Sequence, residues 1–453
     1  MMKKIVILMM SAFLLLGCGT DLFYSSFRIR NTDLQWMLSP SQQSTLNYKS
    51  TVLGTGDFRF NSPSIIATPD NYILFLYERR DNDYPDIIGV NGDSAKRTDV
   101  YAAISKNAKN FIYLTQLVGG SSLKSHGSPI AFVNNKNNNS EVIVLAVGGN
   151  GFANSQDDTP SVISKSVSIP KTEYAEWTEW EDLDTNIFKP LLKDNFNRFY
   201  TSPDSGITLR NGTLACIIDY KKKDGNKAEG FAILYSTDNG TNWKIGSKTL
   251  YQDHRFAKII AERKDGKLLI AAAENSTNDY NKQADLAWFL ADSLEGNISS
   301  FSPTGLPQHN CGSTAGGKIK LAEGGYSKEA IILLHSSPNR ATTNVNNVHN
   351  TVKNANALYI SFNEGQNWEI VTNIFYPLTP HDSGKWYIYN DYDNMTSFRQ
   401  SMRVLKDGTI AAVSENGDYK IESSGSYSYG FKLVYRRFSL NAISGGKYRY
   451  EGL

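Results

Sequence analysis

One short sequence pattern occurs twice in this chain and limits what it can fold into. Ser236–Trp243 and Ser361–Trp368 both read Ser, any residue, Asp or Asn, any residue, Gly, two residues and Trp, and each follows a short apolar run. An Asp or Asn side chain holds a turn by binding backbone N–H groups, and Gly supplies a positive φ angle. Trp returns to cover apolar surface. Two distant copies indicate a repeated β unit.

A second pattern recurs along the body of the chain, namely an apolar strand, a polar turn and another apolar strand. Its turns contain Asn-Gly, Asp-Gly or similar polar residues, which are strong hairpin signals. The six copies are Ser64–Phe75, Ile130–Val147, Gly206–Leu214, Ile259–Ile270, Gly317–Leu334 and Met402–Val413. They are spaced tens of residues apart, which leaves each copy room for two further strands.

Six four-stranded blades around a central axis account for residues 55–453. A blade packs only on its neighbours, so the chain escapes the size limit of a single core. A pair of β-sandwiches is the alternative, but sandwiches do not repeat one hairpin at roughly even spacing. The sequence therefore predicts an all-β fold, a six-bladed β-propeller.

The N-terminus resembles a bacterial lipoprotein signal. Lys3 and Lys4 precede an apolar run, Ile5–Leu16, that is too short to span a bilayer as a helix, and Gly17-Cys18 follows. An ordinary secretory signal is the alternative. We predict a lipoprotein signal peptide at 1–17, a lipidated Cys18 and a polar tether at 18–54, of which one segment could close the propeller as a strand. The expected location is the bacterial cell envelope, with the exported protein attached to the membrane by its lipid anchor.

Charge, cysteine and histidine content narrow the possible partners. Without Lys3 and Lys4 the chain has 45 basic and 45 acidic residues, so it has no global field that would attract nucleic acid. Cys216 lies in an apolar run and is predicted to be a buried core thiol. The six histidines lack the spacing of metal ligands, and no phosphate-binding loop is present. We predict no cofactor and no metal, and a monomer.

Arginine residues recur just before the innermost strands of the predicted blades. In a propeller the first residues of these strands converge on the central cavity. An arginine next to an aromatic residue occurs at this point in four segments: Asp57–Pro63, Asn197–Pro203, Asp253–Phe256 and Thr396–Ser401. Guanidinium groups from separate blades would form an anion pocket, because arginine grips a carboxylate with two bonds and keeps its charge. The alternative for each arginine alone is a structural ion pair.

These segments resemble the sialidase (neuraminidase) family. The two Trp-ending turns are similar to the Asp-boxes, or BNR repeats, of that family. Phe58–Ile66 resembles its Phe/Tyr-Arg-Ile-Pro signature with two residues inserted before Pro63, and Leu74–Arg80 resembles the strand that ends in another active-site arginine. Thr201–Ile207 resembles its Ala-Pro-Gly-x-Gly-Ile turn. The resemblance covers almost all of the predicted propeller and implies that Asp238 and Asn363 are structural.

The resemblance implies a glycoside hydrolase that removes terminal sialic acid, or a related acidic sugar, from glycoconjugates. Three arginines of the family hold the sugar carboxylate, a tyrosine paired with a glutamate attacks the anomeric carbon, and an aspartate is the general acid and base. The carboxylate-binding candidates are Arg59, Arg80, Arg255 and Arg399. Asp93 is the acid/base candidate, with Asp83 as its rival. Tyr392 is the nucleophile candidate, with Tyr389 as its rival.

The chain departs from the family at several catalytic positions. Arg255-Phe256-Ala257 stands where an Asn-Glu-like pair is expected, and Lys353-Asn354 stands where the family has an arginine. A second hypothesis is therefore a catalytically inactive, lipid-anchored propeller that binds acidic glycans. It would use Trp288, Trp386 and Tyr387 as platforms for sugars. An envelope scaffold without a ligand is the third hypothesis.

Overall fold

A computed structural model describes most of the chain from residue 38 to residue 450. The described residues are 38–450 without 54–57, 69–71, 82–97, 110, 121–123, 135–140, 150–161, 172–173, 193–195, 203–205, 223–228, 251–253, 275–283, 307–308, 311–313, 324–325, 340–352, 374–398 and 422–426. Within them, every helix is too short or too polar to cross a bilayer. Cys18 and the predicted signal peptide at 1–17 lie outside the described residues.

The first three blades are built from strands that follow one another along the chain. Blade 1 consists of β2 (Phe58–Ala67), β3 (Ile73–Asp81), β4 (Thr98–Ser105) and β5 (Ile112–Leu117). Blade 2 consists of β6 (His126–Asn134), β7 (Glu141–Gly148), β8 (Val162–Lys171), β9 (Tyr174–Trp177) and β10 (Glu181–Asp182). Blade 3 consists of β11 (Phe196–Thr201), β12 (Ile207–Thr208), β13 (Leu214–Lys222), β14 (Gly230–Ser236) and β15 (Lys244–Leu250).

Blade 4 repeats this arrangement, whereas blades 5 and 6 each include one strand from a distant part of the chain. Blade 4 consists of β16 (His254–Glu262), β17 (Leu268–Glu274), β18 (Ala284–Ala291), β19 (Ile298–Phe301) and the short β20 (His309–Asn310). Blade 5 consists of β21 (Ala315–Glu323), β22 (Tyr326–Asn339), β23 (Lys353–Ser361), β24 (Glu369–Asn373) and the C-terminal β28 (Arg449–Tyr450). Blade 6 consists of β25 (Gln400–Val404), β26 (Ile410–Ile421), β27 (Tyr427–Phe438) and β1 (Asn47–Leu53).

Short helices occupy the connections outside these sheets. They are α1 (Pro40–Gln43), a 3₁₀ turn at Thr185–Phe188, α2 (Lys189–Leu192) and α3 (Leu440–Ile443).

Six antiparallel sheets, one for each blade, confirm the predicted six-bladed β-propeller. The ring is closed by an early strand, because β1 pairs antiparallel with β27 from Asn47↔Phe438 to Leu53↔Leu433. Residues 47–53, which the sequence assigns to the tether, thus form the outer strand of blade 6. Thr51 and Leu53 flank an irregularity in this pairing.

The order of strands within a blade gives the propeller two distinct ends. We call the end where the innermost strands β2, β6, β11, β16, β21 and β25 begin the starting face. Each of these strands leads into a hairpin at the opposite end, which we call the hairpin face. The turn between the third and fourth strands of a blade also lies there, because antiparallel neighbours alternate in direction. Asn134 at the end of β6 accordingly donates from Nδ2 to the carbonyl oxygen of Asn239, 3.3 Å away in the first Asp-box turn.

The first Asp-box turn is held by side chains that bind its own backbone. The Ser236 hydroxyl accepts a bond from the Gly240 N–H at 2.8 Å and donates to Asp238 Oδ1 at 2.8 Å. The same oxygen accepts the Asn242 N–H at 2.8 Å. Trp243 Nε1 donates to the Gly240 carbonyl at 3.1 Å, and φ at Gly240 is 80°. The turn therefore depends on the four residue types that define the pattern.

The second Asp-box turn repeats these bonds with an amide in place of the carboxylate. Asn363 Oδ1 accepts from the Ser361 hydroxyl at 3.0 Å and from the Asn367 N–H at 2.8 Å. Trp368 Nε1 donates to the Gly365 carbonyl at 2.9 Å. Because a neutral Asn forms the same contacts, the turn requires an oxygen acceptor rather than a negative charge. This agrees with the structural role that the sequence predicts for Asp238 and Asn363.

The tryptophans of both turns pack onto the preceding blade. Trp243 lies 5.3 Å from Phe132 of blade 2, and Trp368 lies 5.8 Å from Trp288 of blade 4, measured between ring centroids. Trp288 is only 5% exposed. The suggestion that Trp288 forms a platform for sugars is therefore wrong, because its ring fills the seam between two blades.

Hydrogen bonds link every neighbouring pair of blades close to the axis. The Ser128 N–H donates to Glu78 across the first seam. The other five seams are joined by Gly206 N–H to the Ala131 carbonyl (2.9 Å), Arg210 N–H to Glu262 Oε2 (2.8 Å), Lys258 Nζ to the Thr314 carbonyl (2.7 Å), Gln400 Nε2 to the Leu334 carbonyl (2.9 Å) and Ile65 N–H to Ser401 Oγ (2.9 Å). The apolar core lies between the blades, and Cys216 is buried in it as predicted. This burial raises the pKa of the Cys216 thiol.

A close contact between blades 4 and 5 gives a stability prediction. Gly305 and Gly266 both have left-handed backbones, with φ of 82° and 85°. A Cβ at Gly305 would lie 1.9 Å from the Trp368 carbonyl oxygen, whereas a Cβ at Gly266 would meet nothing within 4 Å. We expect Gly266→Ala to lower the free energy of unfolding by about 1 kcal/mol and Gly305→Ala to lower it by a further 1–3 kcal/mol, roughly. Urea denaturation followed by Trp fluorescence measures both, and equal losses would contradict the close contact.

Candidate anion pocket at the starting face

Four arginines lie at equivalent positions, where innermost strands begin. Arg59 and Arg255 are the second residues of β2 and β16, Arg198 is the third of β11, and Arg399 directly precedes β25. Arg198 is fully buried and Arg399 is 8% exposed. The side chains of Arg59 and Arg255 lie outside the described part of the structure. The backbone thus brings the starts of blades 1, 3, 4 and 6 to the same face of the propeller.

Ser62 and Pro63 form a bulge in β2, at the point where the sequence has its insertion before the proline. The pairing of β2 with β3 shifts between Asn61 and Ser64, and Ser62 has a φ of 54°. Blade 2 has the same feature, since β6 shifts between Gly127 and Ile130 and Ser128 has a φ of 53°. Bulges and left-handed residues other than Gly are concentrated near functional sites, where they re-aim the strand.

Glu78 and Arg80, which both belong to β3 of blade 1, form a buried ion pair on the side of blade 1 that faces blade 2. Arg80 Nε donates to Glu78 Oε2 at 2.7 Å, and Arg80 Nη2 contacts the same oxygen. Glu78 is fully buried and Arg80 is 3% exposed. The structure therefore places Arg80, one of the predicted carboxylate ligands, against an internal carboxylate. Its register partner on β2 is Arg59.

A lysine joins three blades at the starting end of the axis. Lys258 of β16 is 4% exposed, and its ammonium group donates to the carbonyls of Thr314 at 2.7 Å and Gln400 at 3.2 Å. Thr314 precedes the innermost strand of blade 5, and Gln400 begins that of blade 6. Lys258 thereby holds the starts of these strands together and adds a positive charge beside them.

A polar chain runs outward from the start of blade 2. The His126 ring stacks on Trp180 at 4.4 Å, and its Nε2 lies 3.2 Å from Ser164 Oγ. Ser164 donates to Asp182 Oδ1 at 2.7 Å, and Lys124 binds the other oxygen of Asp182. Burial raises the pKa of Asp182, but the bonds from Lys124 and Ser164 outweigh it and hold the pKa below its usual value. Asp182 therefore stays ionised and orients this edge of blade 2.

One cavity in the described part of the structure lies elsewhere on the axis. It encloses about 430 Å³ and is lined by residues such as Ala67, Val133, Glu262 and Val404, which occupy the hairpin ends of innermost strands. Arg403 of blade 6 crosses the axis and donates to the Gly206 carbonyl of blade 3, 2.8 Å away. This cavity is thus separate in position from the arginines of the starting face.

Several predicted site residues lie outside the described residues. These are the acid/base candidate Asp93 and its rival Asp83, the nucleophile candidate Tyr392 and its rival Tyr389, and the platform candidates Trp386 and Tyr387. Their assignments remain predictions.

Sequence reasoning missed Glu78, Lys258 and Gln400. Signals were available for the first two, because each is a charged residue next to an apolar strand segment, in Tyr77-Glu78 and in Ala257-Lys258-Ile259. Charged residues are seldom fully buried unless they have a partner. A charged residue in an apolar strand segment, such as Glu78 or Lys258, therefore indicates a buried group that binds it. For Gln400 the sequence offers no comparable signal.

Comparison with known proteins places the chain close to the sialidases. Residues 67–280 match the BNR repeat-like domain family. A curated sialidase from Paraclostridium sordellii is 23% identical over 275 residues, which cover 57% of this chain and 65% of the relative. The chain thus spans slightly less than two thirds of that relative's length.

Solved structures show the same fold. The Hadza microbial sialidase Hz136 aligns with a TM-score of 0.59 and 16% identity, over 87% of this chain and 69% of that protein. Trypanosoma rangeli sialidase in complex with sialic acid aligns with a TM-score of 0.57 and 13% identity, over 86% and 58% of the two chains. A Dyadobacter fermentans protein of unknown function aligns with a TM-score of 0.55 and 10% identity, over 86% and 97%. These findings confirm the resemblance to the sialidase family.

A buried histidine at the starting-face end of β22 gives a pH prediction. His335 is fully buried beside Tyr359, and burial lowers its pKa from 6.5 to about 3. The unfolded chain therefore binds a proton between these pH values that the folded chain does not, so stability falls as the pH drops below about 6.5. We expect the unfolding free energy of the wild type to fall relative to that of His335→Leu, by up to about 1.4 kcal/mol per pH unit, as the pH is lowered from 6 to 4. Parallel pH profiles of the two proteins would contradict this.

Proposed function

We propose that this protein is an exported, sialidase-like glycoside hydrolase that removes terminal sialic acid, or a related acidic sugar, from glycoconjugates. The observation that carries the proposal is the placement of arginines at the starts of the innermost strands of several blades. The resemblance to sialidases supports it, since one of the structurally similar proteins was solved with sialic acid bound. Guanidinium groups suit a sugar carboxylate because their planar donors bind both of its oxygens.

In the proposed reaction the arginines Arg59, Arg255 and Arg399 hold the carboxylate, and Arg80 supports them from the neighbouring strand. Tyr392, which has released its proton to solvent, attacks the anomeric carbon as the phenolate and later leaves as the phenolate, while Asp93 gives its proton to the departing glycosidic oxygen. This step forms a covalent bond between the sugar and the tyrosine. Asp93 then takes a proton from a water molecule that attacks the same carbon and releases both the sugar and the tyrosine. The configuration of the sugar is retained.

Export and anchoring belong to the same proposal. We propose that residues 1–17 are removed, that Cys18 carries the lipid, and that the propeller acts in the bacterial cell envelope as a monomer tethered to the membrane. Acidic glycans would be its partners there. The basis is the signal-like sequence from Lys3 to Cys18.

The second candidate function is a glycan-binding propeller without catalysis. One observation favours it, namely Arg255-Phe256-Ala257 in place of the glutamate that activates the tyrosine in the family. Without an activated nucleophile, binding of the carboxylate alone does not cleave the glycosidic bond at a useful rate. Turnover therefore separates the two candidates.

A fluorogenic aryl glycoside of sialic acid tests the proposal. We expect the wild-type protein to release the fluorophore, and we expect Asp93→Ala and Arg59→Ala to lower kcat/KM by about 10²–10⁴-fold, since one loses proton transfer and the other loses carboxylate binding. Arg210→Ala is the matched control, because Arg210 is a half-exposed arginine on the hairpin face, paired with Glu262 at 3.1 Å. It should keep its activity.

Sialic acid binding, measured beside fluorophore release, distinguishes the hydrolase from the glycan-binding propeller. Wild-type protein that binds sialic acid but releases no fluorophore would support the glycan-binding candidate. Wild-type protein that neither binds nor cleaves would contradict both candidates.

A further inference from the structure

A single buried carboxylate joins the first two blades at the starting face. One oxygen of Glu78 accepts from the Arg80 guanidinium, with Nε at 2.7 Å, and the other accepts the backbone N–H of Ser128. Glu78 belongs to β3 of blade 1, whereas Ser128 belongs to β6 of blade 2. The carboxylate is fully buried. Its two oxygens therefore fix a charged side chain of one blade relative to the backbone of the next.

The backbone that Glu78 holds is strained and closely packed. Ser128 has a φ of 53° within the bulge of β6. A Cβ at the preceding Gly127 would lie 2.9 Å from Glu78 Oε1, so a larger residue there would displace the carboxylate. Strained conformations persist where the surroundings determine them, and a charge-assisted bond to the Ser128 N–H supplies such a determinant.

Glu78 also balances the charges of two arginines. Arg59 and Arg80 stand opposite each other in the register of β2 and β3, and Asn61 stands opposite Glu78. Like charges at opposite positions of neighbouring strands destabilise a sheet. The formal charges of Arg59, Arg80 and Glu78 add to +1.

We propose that Glu78 is a positioning residue of the anion pocket. It acts through Arg80 and Ser128, without contact to the sugar, and sets the arrangement in which the arginines of blade 1 meet the carboxylate of the ligand. This inference rests on the proposed function, because it specifies how the same pocket distinguishes an acidic sugar from a neutral one.

A matched pair of variants isolates this role from a general loss of stability. Glu78→Gln keeps the shape of the side chain and removes its charge. Asp407→Asn does the same to another buried carboxylate with an arginine partner, since Asp407 is 2% exposed and binds Arg437 at 2.7 Å. Asp407 lies in the hairpin between β25 and β26, at the hairpin face. Both variants lose a buried ion pair, but only one of them loses it at the pocket.

The measurement is the ratio of the affinities for sialic acid and for its uncharged methyl ester, obtained by calorimetry with the full-length protein. A merely structural defect weakens both ligands alike and leaves the ratio unchanged. We expect the wild type to prefer the acid, Glu78→Gln to lose about tenfold or more of this preference, and Asp407→Asn to retain it even where its melting temperature falls.

The possible results are distinct. A wild-type preference for the acid that survives in Glu78→Gln would overturn the positioning role and leave the proposed function intact. A wild type without any preference for the acid would overturn the proposed function itself, and the positioning role with it. If Glu78→Gln does not fold, Glu78→Asp decides, because it keeps the charge but withdraws the carboxylate by one methylene. If Glu78→Asp then prefers sialic acid over the methyl ester as strongly as the wild type does, the positioning role is overturned.

Discussion

Closure of the ring of blades is the constraint on which the rest of this structure depends. A propeller blade buries its apolar faces only when a neighbour stands on both sides, so the first and last blades must meet. Here β1 completes blade 6 by pairing with β27, and Tyr435 of β27 donates to the Ala108 carbonyl of blade 1, 2.8 Å away. The buried Asp407 also accepts the Leu38 N–H at 3.0 Å and so fixes the chain that leads into β1. Closure thus joins an early segment of the chain to a late one.

A closed ring also determines where polar chemistry can collect. The faces between blades are apolar, but the innermost strands leave N–H and carbonyl groups near the axis that need partners. Glu78, Lys258 and Gln400 supply these partners at the starting face, each by binding the backbone of another blade. Buried charges are stable only when they are paired or well hydrogen-bonded. The same ring of strand starts therefore provides both the fixed polar groups and the arginines of the proposed anion pocket.

The sequence predicted the fold well because its signals are local. The Asp-box turns depend on bonds within eight residues, such as Ser236 to Gly240, and each blade begins with a hairpin whose turn residues are recognisable. The site was less predictable because its contacts join remote segments. The sequence predicts that Arg80 binds the carboxylate of a ligand, yet in the structure it binds Glu78, two residues away. The importance of Glu78 depends in turn on its bond from Ser128, which is 50 residues further along the chain. The role of Lys258 likewise requires Thr314 and Gln400 from two other blades.

Arginines from separate blades bind one carboxylate at the starting face in the function that we propose. A crystal structure of the protein with sialic acid bound tests it most directly. We predict that the sugar carboxylate lies among the strand starts, in contact with Arg59 and Arg399. A sugar bound in the axial cavity near Arg403, with Arg59, Arg255 and Arg399 directed to different sides of the molecule, would contradict the account.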